Sequence, residues 1–172
     1  MLEVEVKARV TEFSKIEERL KALDATFMKT EIQEDVYFAH PSRDFSKTDE
    51  ALRVRRINER YFVTYKGPKI DRETKTREEI EAGSEKNIAE IFVKLGFTEW
   101  KAVRKERKTY RLSDLTICLD NVAGLGNFIE IESNDYNNKN RIFNLFEELG
   151  IPKKDFITKS YAEMLISNMN RI

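Results

Sequence analysis

Apolar and charged residues alternate strictly along Leu2-Glu3-Val4-Glu5-Val6-Lys7-Ala8-Arg9-Val10. A period of two predicts a β-strand with unlike faces. One face carries Leu2, Val4, Val6 and Ala8; the other carries Glu3, Glu5, Lys7 and Arg9. The pattern returns downstream. Ala51–Ile57 sets Arg53 and Arg55 against Leu52 and Val54, and Tyr61–Gly67 puts Phe62, Thr64 and Lys66 on one face. Arg77, Glu79 and Glu81 alternate, as do Lys105, Arg107, Thr109 and Arg111. Thr116, Cys118 and Asp120 alternate with Leu115, Ile117 and Leu119; Phe128, Glu130 and Glu132 alternate with Ile129 and Ile131. The predicted strands thus carry polar faces rich in both signs of charge.

Helical spacing appears between them. Ser14-Lys15-Ile16-Glu17 fits a capping box ahead of Ile16, Leu20 and Leu23. Ser84 is a candidate N-cap for a helix bearing Ile88, Ile91, Phe92 and Leu95, stopped by Gly96. Asn137-Asn138 introduces a helix with Ile142, Leu145, Phe146 and Leu149, and Ser160-Tyr161-Ala162-Glu163 is a capping box for a short terminal helix. Residues 27–38 and 97–112 read as strands, 39–49 as a polar loop, 58–59 and 113–114 as tight turns, and 69–75 as a mobile charged connection. The segments ending in Leu23-Asp24, Leu95-Gly96 and Leu149-Gly150 look alike, which either pseudo-symmetry or a shared helix stop would produce.

Strands with an apolar face must bury it, and the amphipathic helices are there to cover it. The charged faces then point to solvent or to each other. An open antiparallel sheet with one wet face gives the same alternation. Two features favour closure into a barrel. Arg is frequent on these faces, and it suits planar recognition of oxyanions. The signs are also segregated by strand: Arg53, Arg55, Lys66, Lys105 and Arg107 against Glu3, Glu5, Asp120, Glu130 and Glu132. That arrangement suits a cation on one side and a polyphosphate on the other, and closure removes the sheet edges.

The chain has 172 residues, of which 36% are charged and 40% hydrophobic, enough for one domain spanning 1–172 with a real core. Its formal net charge is zero, which speaks against a nucleic-acid partner. The single cysteine, Cys118, excludes an internal disulfide and a Cys-rich zinc site. The single histidine, His40, reads as a loop residue without a supporting triad motif. With no long apolar run, neither a signal peptide nor a membrane span is expected, and the expected location is cytoplasmic.

In order, Glu3-Val4-Glu5-Val6-Lys7, Leu52-Arg53-Val54-Arg55, Thr64-Tyr65-Lys66-Gly67-Pro68, Arg77–Glu81, Lys105-Glu106-Arg107, Leu119-Asp120, Leu125–Glu132 and Lys159-Ser160-Tyr161 resemble the CYTH family. These triphosphate tunnel metalloenzymes group class IV adenylyl cyclases with thiamine triphosphatases. The length and the segments Asp35–Phe38 and Tyr65–Pro68 look most like the class IV cyclase branch. The resemblance implies an α+β fold: a closed antiparallel barrel of about eight strands forming a tunnel, with helices outside. It implies Mg²⁺ or Mn²⁺ held by Glu3, Glu5 and Glu130, with Glu132 and Asp120 nearby. It implies triphosphate contacts from Lys7, Arg53, Arg55, Lys66, Arg77, Lys105 and Arg107. Glu3, Glu5, Lys7, Arg53, Lys66, Lys105 and Arg107 form the expected catalytic set. The expected activity is conversion of ATP to cyclic AMP and pyrophosphate; the alternative is hydrolysis of inorganic tripolyphosphate, thiamine triphosphate or a nucleoside triphosphate. A homodimer is expected, and no membrane partner.

Overall fold

The computed structural model describes residues 2–71 and 73–169. Eight strands of the sheet run in sequence as β1 (Leu2–Arg9), β2 (Thr26–Ala39), β3 (Ala51–Ile57), β4 (Arg60–Lys66), β5 (Arg77–Ser84), β6 (Thr98–Leu112), β7 (Leu115–Val122) and β8 (Gly126–Ser133). All pair antiparallel, in the order β5-β4-β3-β2-β6-β7-β8-β1, and Leu2 opposite Glu78 with Glu3 opposite Arg77 joins the two ends. The sheet is therefore a closed barrel, as the alternation predicts. A two-residue strand, β9 (Phe156–Ile157), adds to β1 beside Lys7 and Ala8. The turn at Asn58-Glu59 makes a two-residue hairpin, with Asn58 at positive φ as a primed turn requires.

Each predicted apolar face lies outside the barrel and under a helix. α1 (Ser14–Ala22) and α4 (Lys139–Glu148) cover Val4, Val6, Ile117, Leu119, Ile129 and Ile131, all but inaccessible to solvent. α3 (Ile88–Lys94) covers Phe38, Leu52 and Val54, with Val63 half-buried beside them. A third cluster joins Val103, Val122, Leu125 and Phe128 to Tyr161 and Ala162 of α5 (Tyr161–Met169). Val103, Val122 and Phe128 share the parity of the charged inward residues, so this cluster is an apolar plug at one end of the barrel.

The helix boundaries show which local signals held. Ser160 and Glu163 form the expected capping box: Ser160 N donates to Glu163 Oε2 at 2.6 Å and Glu163 N donates to Ser160 Oγ at 3.2 Å. The box at Ser14 does not form; α1 begins there, but its N-cap position is Phe13 and no side chain caps it. Ser84 ends β5, and α3 starts after Asn87 instead. The loop 39–49 contains α2 (Phe45–Thr48), where the Asp44 carboxylate accepts from Ser46 N at 3.1 Å.

The three similar segments share one helix stop. Asp24, Gly96 and Gly150 all have positive φ. The next residues, Ala25, Phe97 and Ile151, donate to the carbonyls of Leu20, Phe92 and Phe146 at 2.9, 3.0 and 2.8 Å. That is the Schellman closure, and it accounts for the local likeness. The wider order is also duplicated: β1-α1-β2-β3-β4 and β5-α3-β6-β7-β8 repeat one plan, set aside α2. Exchanging the halves leaves the pairing order unchanged, with β2–β6 and β1–β5 as the two seams.

The segment 69–75 departs from expectation. It is tied along the free edge of β1: Lys75 N donates to Glu5 O at 2.9 Å, and Ile70 N to Thr76 O at 2.9 Å. Asp71 accepts from Thr74 N at 3.1 Å and from Lys139 Nζ at 2.6 Å. Thr74, Lys75 and Thr76 are buried. Charge alone pointed to solvent; the unpaired edge of β1 supplied the backbone partners.

Candidate active site

A cavity of about 590 Å³ occupies the barrel lumen, and α2 and α5 contribute Phe45, Ser46, Tyr161 and Glu163 to its lining. Glu3, Glu5, Lys7, Arg53, Arg55, Lys66, Arg77, Lys105, Arg107, Glu130 and Glu132 all line it. Strand alternation brings them there, each sitting on the face opposite the helix-covered core. Asp120 lies behind this wall, fully buried.

Antiparallel register decides who meets whom, because directly opposed residues project from the same face. Arg55 stands opposite Asp35 and pairs with it in a fork, Nε to Oδ1 and Nη2 to Oδ2, both at 2.7 Å. Arg107 stands opposite Asp120 and makes the same fork at 2.7 and 2.6 Å. Lys7 stands opposite Glu130, with Nζ 2.6 Å from Oε1. Lys66 stands opposite Glu79 and pairs with it, and also reaches Glu3 at 3.0 Å. Neighbouring strands carry opposite signs at these positions, so the charges that line the lumen are each met by a counter-charge on the next strand.

These pairings set the charge states. Burial opposes ionisation of Asp35, yet Arg55 and Arg53 hold its carboxyl below the usual range. Burial likewise opposes ionisation of Glu130, and Lys7 and Arg107 keep it well below the usual range. Lys7 is raised despite burial, by Glu130 and then Glu5. Lys75 behaves differently. Its Nζ is 2.8 Å from Glu5 Oε1, but burial, with Lys7 and Arg77 close by, outweighs Glu5 and brings it down to about 8.

The acids crowd at one place. Glu5 stands directly opposite Glu132 across β1 and β8, and like charges so placed repel. Burial, then the charges of Glu3, Glu130 and Glu5, push the Glu132 carboxyl up to about 7 against the pull of Arg107. Among the described residues no three such side chains are drawn around a common point; Glu3, Glu5 and Glu130 turn instead to Lys66, Lys75, Lys7 and Arg107. The donor set is all oxygen, and the crowding of acids around Glu132 is a repulsion that a hard divalent cation would relieve. Asp120 is committed elsewhere: Arg107, Lys105 at 2.9 Å and Tyr161 OH at 2.9 Å fill its acceptor positions.

Several side chains of the site are absent from the sequence-derived set. Lys75 lies in a segment without alternation, so no period marked it. Asp35 does alternate with Gln33 and Tyr37, and that signal was available. Tyr161 looks like an ordinary first-turn helix residue, yet its ring lies 3.8 Å from Lys7 Nζ. Thr64 accepts from Arg53 Nη2 at 2.9 Å and donates to Glu81 at 2.8 Å. Arg53 and Arg77 each retain a buried Nε without an acceptor among the described residues.

The two other reactive groups play no comparable part. Cys118 is a buried free thiol, raised by its burial. His40 borders the cavity mouth, where its Nδ1 accepts from Ser42 N and Arg43 N at 3.1 and 3.0 Å. Those bonds occupy the nitrogen that a triad carboxylate partner would otherwise engage.

A family model for the CYTH domain matches residues 1–161. A Methanocaldococcus jannaschii protein named "putative adenylate cyclase" is 44% identical, covering 95% of this chain and 98% of the relative. A solved Pyrococcus horikoshii structure is 41% identical with TM-score 0.86, covering 96% of this chain and 99% of its own. A Hippeastrum protein described as a "putative adenylyl cyclase" with a dominant triphosphatase activity has TM-score 0.70 at 21% identity, over 96% of each chain, and shares the fold. With its eight-stranded charged tunnel, the chain belongs to the CYTH domain family.

Proposed function

We propose that the protein is a metal-dependent enzyme that cyclises ATP to cyclic AMP and pyrophosphate inside the barrel. The observation that carries a triphosphate ligand is the pair of buried guanidinium Nε donors, on Arg53 and Arg77, that lack an acceptor. Buried donors are rarely left so, and a phosphate oxygen would satisfy them. Lys7, Arg53, Arg55, Lys66, Arg77, Lys105 and Arg107 bind the triphosphate in this reading, and Lys75 joins them.

Glu3, Glu5, Glu130 and Glu132 would hold Mg²⁺ or Mn²⁺, while Asp120 positions Arg107 and Lys105. When bound, the cation neutralises charge on phosphate oxygens. The chain's own part is positioning and charge compensation, the main requirements of phosphoryl chemistry. The ribose 3′-oxygen bonds to the α-phosphorus as the bond to pyrophosphate breaks. The displaced 3′ proton passes to solvent water. The 44% identical relative named for adenylate cyclase supports this branch. Among the described residues no helix is long and apolar enough to cross a membrane; the reading places the protein in the cytoplasm, where ATP is available.

The second reading, hydrolysis of a triphosphate by water attack on the terminal phosphorus, has support from the activity described for the Hippeastrum protein of the same fold. Incubation with ATP and with tripolyphosphate, each with Mg²⁺ and with Mn²⁺, separates the readings by product. Cyclic AMP with pyrophosphate is expected. Orthophosphate from either substrate replaces the first reading with the second, and no product from any combination removes both.

A further inference from the structure

From Lys29 opposite Thr109 to Tyr37 opposite Lys101, β2 and β6 pair in steady register; the next pair is Phe38 opposite Glu99. Trp100 is the extra residue between them, a β-bulge. Without it, Trp100 would oppose Phe38, whose side chain packs under α3 on the outside of the barrel. Trp100 sits at that bulge and borders the cavity, 47% exposed; Phe38 and Leu52, packed under α3, reach the same rim of the cavity. Bulges are often found beside active sites, where they redirect a side chain. The indole is held half in water beside a charged cavity, outside the three buried apolar clusters of the described residues.

Its surroundings suit a flat ring. α2 brings Phe45 to the same cavity, half-buried against the Phe38 and Leu52 cluster, with the His40 ring 5.5 Å away and the Arg43 guanidinium 5.4 Å from its centroid. His40 is fixed in turn against Phe97 at 5.0 Å. The charged residues lie deeper. Asp35, which forks with Arg55, stands opposite Val103, three residues along β6 from Trp100. At strand spacing that is about 10 Å, roughly the reach of a sugar and base beyond a phosphate. The cavity thus changes character along its length, from ion pairs in the barrel to aromatic faces at the rim.

We infer that Trp100 is a base-stacking subsite, and that it makes the substrate a nucleoside triphosphate rather than an inorganic one. This rests on the reading that the lumen holds the triphosphate. Stacking tolerates any base, so ATP and GTP should both engage it.

The chain has one tryptophan, so the indole reports on itself. With Mg²⁺ present, ATP should quench its fluorescence, and saturating tripolyphosphate should not. Trp100→Ala should weaken ATP about tenfold or more, as loss of one base–aromatic stack does, while tripolyphosphate affinity, read by thermal protection, stays within about twofold. Trp100→Phe should restore most of the ATP affinity. If tripolyphosphate protects the protein but ATP neither quenches Trp100 nor depends on it, the subsite is wrong and the triphosphate reading stands. Equal weakening of both ligands by Trp100→Ala also overturns it, since that marks a structural role. If neither ligand protects the wild-type protein, the triphosphate reading falls and the subsite with it.

Discussion

The two halves of the barrel share a plan and reverse its charges. In the first half the acid is on the long strand and the cation on the next: Asp35 of β2 grips Arg55 of β3. In the second, the cation is on the long strand: Arg107 of β6 grips Asp120 of β7. The following strands diverge likewise. β4 carries Lys66, where β8 carries Glu130 and Glu132. In the eight-stranded ring β3 and β8 are four strands apart either way round, so Arg53 and Arg55 look across the lumen at Glu130 and Glu132. One fork geometry, used in both polarities, fastens each half while giving the cavity a basic wall facing an acidic one. The second fork is also closed over by Tyr161 and the apolar plug, whereas the first stays on the cavity wall.

That difference gives the largest expected effect. Asp120→Asn leaves Arg107 and Lys105 buried with one charge too few, and removing one member of a buried pair costs about 3–5 kcal/mol. At this chain length that lowers Tm by about 10 °C. Asp35→Asn should cost less, because the Arg55 it leaves behind is 11% exposed and lines the cavity rather than lying under the plug. Equal costs by thermal or urea unfolding would erase the distinction between a locked fork and a working one. The Asp35 effect has a sign in pH. Its carboxyl is depressed on folding, so its stabilisation is complete above the ordinary value of 3.8 and fades as pH falls toward the depressed one. The gap between wild type and Asp35→Asn should therefore narrow between about pH 5 and pH 2; a constant gap would mean that the charge is not what stabilises.

Activity should separate the two walls next. Glu5→Gln and Glu130→Gln should each abolish turnover, by about 100-fold or more, with the fold kept, because a carboxamide is a poor ligand for a hard cation. Added Mn²⁺ should rescue neither fully. Wild-type rates in both variants would take the cation off the acidic wall. On the basic wall, Arg53→Lys keeps the charge and loses the planar fork, so tripolyphosphate affinity should drop by about tenfold in calorimetry. An unchanged affinity would leave Arg53 as a mere counter-ion to Asp35 and Glu81.

What the sequence revealed follows the strength of the local period. Alternation placed the lumen faces of β1, β3, β4, β5, β7 and β8, because a period of two leaves only two choices and the apolar set decides between them. It could not reveal partners. Asp120 reads as one more acid until register sets it opposite Arg107. Lys75 was out of reach because its segment is held by backbone bonds to Glu5 and Thr76 rather than by side-chain pattern. The caps at Ser14 and Ser84 misled for a simpler reason: a serine can begin a helix or end a strand without capping anything, and neighbouring packing chooses. Trp100 is the sharpest case. Counted along an unbroken strand it belongs outside, and the bulge that displaces it leaves no periodic signal.

The smallest expected effect compares the outer faces of the two walls. Val6 lies on the acidic side, 2% exposed beneath α1 and α4, among side chains that are themselves inaccessible. Val63 lies on the basic side, half-buried under α3, a helix that leaves Ile91 and Val93 47% and 48% exposed. Val6→Ala removes two buried carbons from a site that cannot collapse, and should cost about 1.5–2.5 kcal/mol. Val63→Ala removes the same atoms where water already reaches, and should cost under about 1 kcal/mol. Urea unfolding of the two variants gives the ratio directly. A cost at Val63 equal to that at Val6 would show that the α3 flank is as tightly closed in solution as the α1 and α4 flank, and the two walls would then differ in charge alone.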